Sequence, residues 1–481
     1  MGEVMNFSLA TPEIFLLFST CAVLLLDVFL SDKCRTFGYM AALLAMIATA
    51  FLVVSSFGIE RSFAFNGMYV LDNMSVILKV SVLLVVIATF VYARSYLIDR
   101  NIFKGEFYTL SMFATLGMLI MISANTLLVI YLGLELLSLS LYALVAFRRD
   151  DGRASEAGMK YFVLGAIASG MLLYGMSILY GLSGSLELKG VAAYVASQQI
   201  MHNMVLLFGL TFIIVGLGFK FGVAPFHMWV PDVYQGAPTP VTMFLGSAPK
   251  IAAFAMTMRL LVNGMEFGAA GWQQMLIPLA VLSMVIGNIA AIAQSNLKRM
   301  LAYSTISHMG FVLLGILSAN EQGYSAAMFY AITYALTALG GFAVIILLSQ
   351  SGIEAEELED LRGLNERHPW YAFMMMLFLF SMAGIPPLVG FYAKLAVLQA
   401  TVQAGFIWLA VLAVTMSVIG AYYYLRAVKL MYFDKPVESS TISMGFSFNT
   451  LLAGNGFLVV ILGLFPGLLM ALCVEAVKMS L

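Results

Sequence analysis

The sequence predicts an all-α polytopic membrane protein of about fourteen transmembrane helices, with two inverted five-helix repeats and discontinuous helices 7 and 12. Three observations predict it. Of the 481 residues 62% are hydrophobic and only 10% are charged, far below the roughly 25% charge that a water-facing surface needs. The apolar residues fall in runs of membrane-spanning length, about 20 residues each. Two of those runs contain paired prolines, and they lie an odd number of spans apart.

Taken in order, the runs lie at 12–30, 37–57, 72–93, 107–122, 125–147, 154–181, 203–235, 238–264, 272–294, 298–318, 325–349, 370–404, 405–433 and 448–475. No basic stretch precedes the first run and no small-residue cleavage site follows it, so it reads as a retained span. Residues 1–106 form a three-helix N-terminal segment, and residues 107–264 hold helices 4–8 as the first repeat. Residues 272–433 hold helices 9–13 as the second repeat, and 434–481 carry helix 14. The seventh span, GLGFKFGVAPFHMWVPDVYQGAP, contains Pro225 and Pro231, and the twelfth, SMAGIPPLVGFYAKL, contains Pro386 and Pro387. Proline lacks the backbone donor and clashes with the preceding turn, so both should be broken helices. Freed backbone groups at membrane depth survive only against protein or a wet cavity. A separation of five spans reverses the direction of crossing, which is the pattern of inverted repeats.

Basic residues set the orientation. The odd-numbered loops carry Lys33 and Arg35, Arg94, Arg100 and Lys104, Arg148, Arg149 and Arg153, Lys298 and Arg299, and further cations to Lys435. The even-numbered loops and the termini hold only Arg61, Lys189 and Lys478. This distribution puts the odd loops in the cytoplasm and both termini outside, which in a bacterial inner membrane is the periplasm. The longest polar segment, 353–370, reads as a solvated cytoplasmic loop with a short amphipathic helix, or alternatively as a contact with a neighbouring subunit.

Several functions are excluded. Lys plus Arg (24) nearly cancel Asp plus Glu (25), which leaves no electrostatic footprint for nucleic acid. Cys21, Cys34 and Cys473 are far apart, which argues against a thiolate metal site, an iron–sulfur cluster or a disulfide framework. The histidines show no ligand spacing, and there is no GxxxxGK[ST] or GxGxxG loop for a nucleotide.

The chemistry that remains is in the buried charges. Each ionised side chain at the bilayer centre costs roughly 2.5–3.5 kcal/mol. Lys160, Lys220, Lys250 and Lys394 all fall inside spans, as does Glu135, the only carboxylate of its helix. Such lysines must face water-filled cavities, find partners or lose their protons. An amine whose hold on its proton is weakened by burial can accept and release it, and a nearby carboxylate biases that exchange. A row of such amines with polar side chains and water between them would conduct protons. Lys160 lies about 9 Å inside its span, near enough to snorkel to the interface. Lys220 precedes the first break, where a cation could also serve freed carbonyls. Lys250 sits at the centre of span 8 beside Pro249, and Lys394 follows the second break. His227 could bridge Lys220 and Lys250 through water, and His308 lies in a polar stripe with Ser304, Thr305 and Ser307. Lys79 and Arg259 read as structural or interfacial, and His202 and His368 as loop residues.

The runs GFKFGVAPFHMWVPDVYQGAPTPVTMFLGSAPK, YLGLELLSLSLYAL, NLKRMLAYSTISHMGF and AGIPPLVGFYAKL resemble the antiporter-like subunits of respiratory complex I, the proton-translocating NADH–quinone oxidoreductase. The likeness covers essentially the whole chain. Lysine at 394 distinguishes it from the branch that tends to carry glutamate there, and the end of the chain near span 14 from the branch with a long lateral helix. By the resemblance, Glu135 and Lys220 match the family's glutamate–lysine pair and Lys160 an input-side lysine. Lys250 matches its central connecting lysine, and Lys394 the lysine of its exit half-channel. The resemblance also implies that NADH, FMN, iron–sulfur clusters and quinone are handled by other subunits, and that this chain binds no cofactor. Its implied neighbours in the bilayer are the subunits M and K. Protons would pass from cytoplasm to periplasm. A subunit of a multisubunit cation/proton antiporter, which shares the fold, is the alternative.

Overall fold

The structure, a computed structural model, describes residues 6–29, 34–198, 200–349, 354–436 and 445–481. Lys33, counted above among the cations of the first loop, lies outside the described residues. Among the described residues thirteen helices are long and apolar enough to cross a membrane. A fourteenth crossing is built from two helices that are each too short to do so alone.

The N-terminal segment comprises α1 (Thr11–Phe29), α2 (Arg35–Val54) and α3 (Asn73–Asp99). Asp72 caps α3 by accepting from Ser75 N, while Ser75 Oγ accepts in return from Asp72 N. A short antiparallel hairpin, β1 (Ser62–Ala64) with β2 (Tyr69–Leu71), fills the α2–α3 loop. The first repeat comprises α4 (Gly105–Ile122), α5 (Leu127–Val145) and α6 (Gly152–Ser183). The surface helix α7 (Leu188–Ala196) follows, then α8 (Met204–Phe221) and α9 (Trp229–Gly236) as the two halves of span 7.

Span 8 is also interrupted, which its sequence had suggested only through Pro249. It runs as α10 (Thr239–Gly246), a non-helical Ser247, α11 (Ala248–Thr257) and a wider π-helical turn at Met258–Asn263. Pro249 sits at the start of α11, where its missing donor costs no hydrogen bond. The second repeat comprises α12 (Ala269–Ile292), α13 (Leu297–Leu317), α14 (Glu321–Leu348), the single turn α15 (Leu364–Arg367), α16 (Pro369–Ala383), α17 (Val389–Gln403) and α18 (Ile407–Phe433). Span 12 is thus broken between α16 and α17, as the prolines demanded. Helix 14 is not one helix either. It ends as α19 (Phe446–Leu464) and restarts after Pro466 as α20 (Gly467–Ser480).

The two repeats are packed alike. α4 and α5 cross where a Cβ on Gly117 would come 2.6 Å from Leu137 N and 2.7 Å from Gly133 O. α12 and α13 cross where a Cβ on Gly287 would come 2.7 Å from Ser307 N and 2.8 Å from Tyr303 O. Only glycine permits either approach. In both crossings the partner residues are four apart, so Gly133 corresponds to Tyr303 and Leu137 to Ser307. By the same register Glu135 corresponds to Thr305 and Ser138 to His308. Spans 8, 10 and 11 (α10–α11, α13 and α14) are almost wholly buried and form the central column between the repeats.

The polar loop folds back on its own chain over the residues described, 354–367. Leu297 N donates to Glu356 O at 2.5 Å, and Leu358 N to Ser295 O at 2.8 Å. Burial, above all, lifts the Asp360 carboxyl of this loop above its ordinary range.

Candidate functional site: two lysine seats at broken helices

A helix leaves its last four carbonyls without intrahelical donors, and its C-terminus carries partial negative charge. At the end of α8 all four are accounted for. Gly222, with φ of 75°, lets its N–H turn back to Gly218 O and Phe219 O, and Val223 N also reaches Gly218 O. Trp229 Nε1, from α9, donates to Phe219 O at 3.2 Å. The last two carbonyls, Lys220 O and Phe221 O, accept from Lys250 Nζ at 3.5 and 2.9 Å. The ammonium also lies 5.3 Å from the centre of the Trp229 ring.

The end of α16 repeats this construction. Gly384, with φ of 85°, donates to Phe380 O and Ser381 O, and Ile385 N also reaches Phe380 O. The last two carbonyls, Met382 O and Ala383 O, accept from Lys394 Nζ at 3.0 and 2.9 Å. Lys394 is 5.3 Å from the Phe311 ring centre and makes a third bond, to Ser417 Oγ of α18, at 2.9 Å. The two ammonium groups therefore occupy one equivalent position, although Lys250 comes from span 8 and Lys394 from the second half of span 12. Each seat accepts two N–H donors. A neutral amine still has two, so either lysine can give up a proton without leaving its place.

Around the seats the repeats differ. Lys220 Nζ donates to Ser138 Oγ at 2.7 Å, and no salt bridge joins it to Glu135 among the described residues. Glu135 Oε1 is buried with no hydrogen-bond partner among the described residues. A small cavity of about 20 Å³ is lined by Ser138, Tyr161, Lys220, Trp229 and Lys250, and so joins two of the sequence-derived lysines. In the second repeat the position of Lys220 is taken by Met382. His308 is buried, sharing hydrogen bonds with Tyr330 Oη at 2.7 Å and Tyr424 Oη at 3.1 Å. Tyr424 Oη in turn bonds Ser304 Oγ, and Tyr334 Oη donates to Thr305 Oγ1 at 2.7 Å. A small cavity of about 10 Å³ beside them touches His308, Tyr330, Tyr334, Ser381 and Met382.

Other expected residues stand elsewhere. Lys160 is exposed on α6 and pairs with Asp232 Oδ2 at 2.8 Å and Glu156 Oε1 at 2.9 Å. Asp232 also holds Arg299 at 2.8 Å, tying α9 to α13. His227 lies in the linker of span 7 with its ring 6.5 Å from that of Tyr303, and no hydrogen bond joins it to Lys220 or Lys250 among the described residues. Lys298, expected in a wet loop, is buried because the end of α9 also needs donors. Its Nζ reaches Gln235 O, Ala237 O and Glu356 Oε1 at 3.0, 2.8 and 3.0 Å. Arg259 makes a buried bidentate pair with Asp72 at 2.7 and 2.8 Å, and Lys79 pairs with Glu13 at 2.5 Å.

Sequence reasoning missed Asp232, Lys298, Ser138 and Ser417. Asp232 could have been found as an acid inside a broken span. The serines give no sequence signal among many that simply bond their own helix.

Known proteins share the sequence and fold of this chain. The family described as "NADH:quinone oxidoreductase/Mrp antiporter, TM" matches residues 124–420. A protein of Thioalkalivibrio sulfidiphilus named NADH-quinone oxidoreductase subunit N is 57% identical over 476 residues, 99% of both chains. A chain of respiratory complex I from Thermus thermophilus is 35% identical with a TM-score of 0.82, covering 96% of this chain and 98% of that one. A chain of the Mrp complex from Dietzia sp. has a TM-score of 0.84 at 19% identity, with 98% and 97% covered, a likeness of fold alone. With full-length identity of that order and the same helix organisation, the chain belongs to the subunit N family of NADH-quinone oxidoreductases, within the antiporter-like membrane proteins.

Proposed function

We propose that the protein is a proton-translocating membrane subunit of NADH:quinone oxidoreductase, moving protons from cytoplasm to periplasm while quinone is reduced elsewhere in the complex. Subunits M and K are its neighbours in this reading, both termini face the periplasm, and residues 107–264 and 272–433 act as two half-channels. NADH, FMN, the iron–sulfur clusters and the quinone are bound by other subunits. The observation that carries the reading is the pair of equivalent lysine seats, each able to hold its amine protonated or neutral. Glu135 biases Lys220 in the first half, Lys250 connects the halves, and Lys394 releases protons on the far side. Lys160 stands at the input, with Asp232 beside it. His308 relays through its tyrosines, and His227 bridges Lys220 and Lys250 through water.

A subunit of a cation/proton antiporter is the second reading, supported by the shared fold and by a family description that takes in Mrp antiporters. Co-purification with flavin and iron–sulfur partners favours the first, and sodium-linked exchange without them the second. The test is Lys250→Ala in the assembled complex. We expect normal assembly with a large loss of proton pumping. Normal pumping from Lys250→Ala would reduce the chain to a membrane scaffold.

A further inference from the structure

We infer that the serine seated on each break-associated lysine, Ser138 on Lys220 and Ser417 on Lys394, is the group through which that amine exchanges its proton. The inference rests on the proton-carrying reading of these lysines and adds the atoms that do the exchange.

Backbone carbonyls orient an ammonium but do not take its proton. Among the described residues Lys394 has three hydrogen-bond partners, two of them carbonyls, and of these Ser417 Oγ at 2.9 Å is the one able to accept and pass on a proton. Lys220 is bonded to Ser138 Oγ at 2.7 Å. A lysine–serine contact therefore occurs in both repeats, at lysines of different position and on helices α5 and α18 that the inverted repeat does not match. Two independent instances argue against chance packing.

The surroundings differ in a way that fits opposite ends of a path. Ser138 is buried, and its own hydroxyl proton is held by Leu134 O at 2.6 Å. Glu135, whose Oε1 has no hydrogen-bond partner among the described residues, is three residues back on the same helical face. Rotation of the Ser138 O–H from Leu134 O toward Glu135 completes a relay. One Nζ–H bond of Lys220 breaks as an O–H bond forms on Ser138, and the original Ser138 O–H breaks as the Glu135 carboxylate becomes a carboxylic acid. Lys220 is left as the neutral amine. Ser417 is half-buried, and no acceptor holds its hydroxyl proton among the described residues. Its step takes one proton from Lys394 onto Oγ while the original hydroxyl proton passes to a water molecule, leaving the amine and a hydronium ion.

The experiment uses the assembled complex in sealed vesicles, with Ser138→Ala, Ser138→Thr, Ser417→Ala, Ser417→Thr and Lys250→Ala compared for NADH-driven proton translocation in H2O and D2O. We expect each alanine variant to translocate about tenfold more slowly or worse, with a larger solvent isotope effect, as loss of a positioned proton-transfer group does. Each threonine variant, which keeps the hydroxyl, should recover most of the rate. Alanine variants that pump at the normal rate with an unchanged isotope effect, while Lys250→Ala has lost pumping, overturn this inference alone. Normal pumping by Lys250→Ala overturns the functional reading and this inference with it. If Ser138→Ala fails to assemble, Ser417→Ala on the half-exposed face of α18 decides the matter.

Discussion

The break of span 7 and the break of span 12 present the same backbone device with different side chains around it. Each half-helix ends on a left-handed glycine, turns two N–H groups back on itself, and leaves two carbonyls for a lysine ammonium. The lysine comes from span 8 in one case and from the second half of span 12 in the other. What is repeated is therefore the negative end of a helix held inside the membrane, not the helix that delivers the cation. The first seat has a second amine in its cavity, Lys220, and a carboxylate on α5, Glu135. The second has Met382 and Thr305 at those places, with a histidine–tyrosine network instead. One repeat surrounds its seat with charged groups, the other with neutral hydrogen-bonding ones.

The largest effect should come from emptying a seat. Lys394→Met leaves Met382 O and Ala383 O without donors, and proton translocation should fall at least about tenfold with the complex still assembled, as read in sealed vesicles. Equal activity in this variant would mean that the second seat is structural and that the repeats differ in function.

The next tests the exchange of Lys220 for Met382. Met382→Lys places a second amine beside Lys394 where Thr305 offers no charge, at a cost of roughly 2.5–3.5 kcal/mol. We expect a lower assembled fraction on native gels, partly restored by adding Thr305→Glu. A normal yield from Met382→Lys alone would show that the second half already holds a compensating group.

The shared packing is tested by Gly117→Ala and Gly287→Ala. Both force a methyl into facing backbone and should destabilise by about 1–3 kcal/mol each. Thermal denaturation should show the two losses to be similar, and a large inequality would break the correspondence of the two crossings. The smallest effect belongs to Asp232→Asn. It removes two partly exposed ion pairs, to Lys160 and Arg299, and should change stability by less than about 1 kcal/mol in a thermal melt.

Much of this was legible in the sequence because the membrane makes polar and proline residues conspicuous. Pro225, Pro231, Pro386 and Pro387 marked both breaks, and the apolar runs located the spans. The interruptions at Ser247 and Pro466 were less legible, since a proline near a helix start or end leaves hydropathy unchanged. Lys250 stood out as a cation at the centre of its span and Lys394 as one that follows the double-proline break, and both are buried. Their common seat could not be read, because it is made of backbone carbonyls, which every residue has. Glu135 and Lys220 read as a pair, yet Ser138 takes the ammonium. Lys298 read as a loop cation because the sequence does not show that α9 ends against it.

The most direct test of the central claim replaces Lys250 by arginine in the assembled complex and measures NADH-driven proton translocation. Arginine keeps the positive charge and the donors that the carbonyls of α8 need, but it does not release its proton at working pH. If the seat serves proton exchange, Lys250→Arg assembles and pumping is lost. Pumping by Lys250→Arg at the normal rate would show that the amine is only a fixed structural cation and would contradict the account.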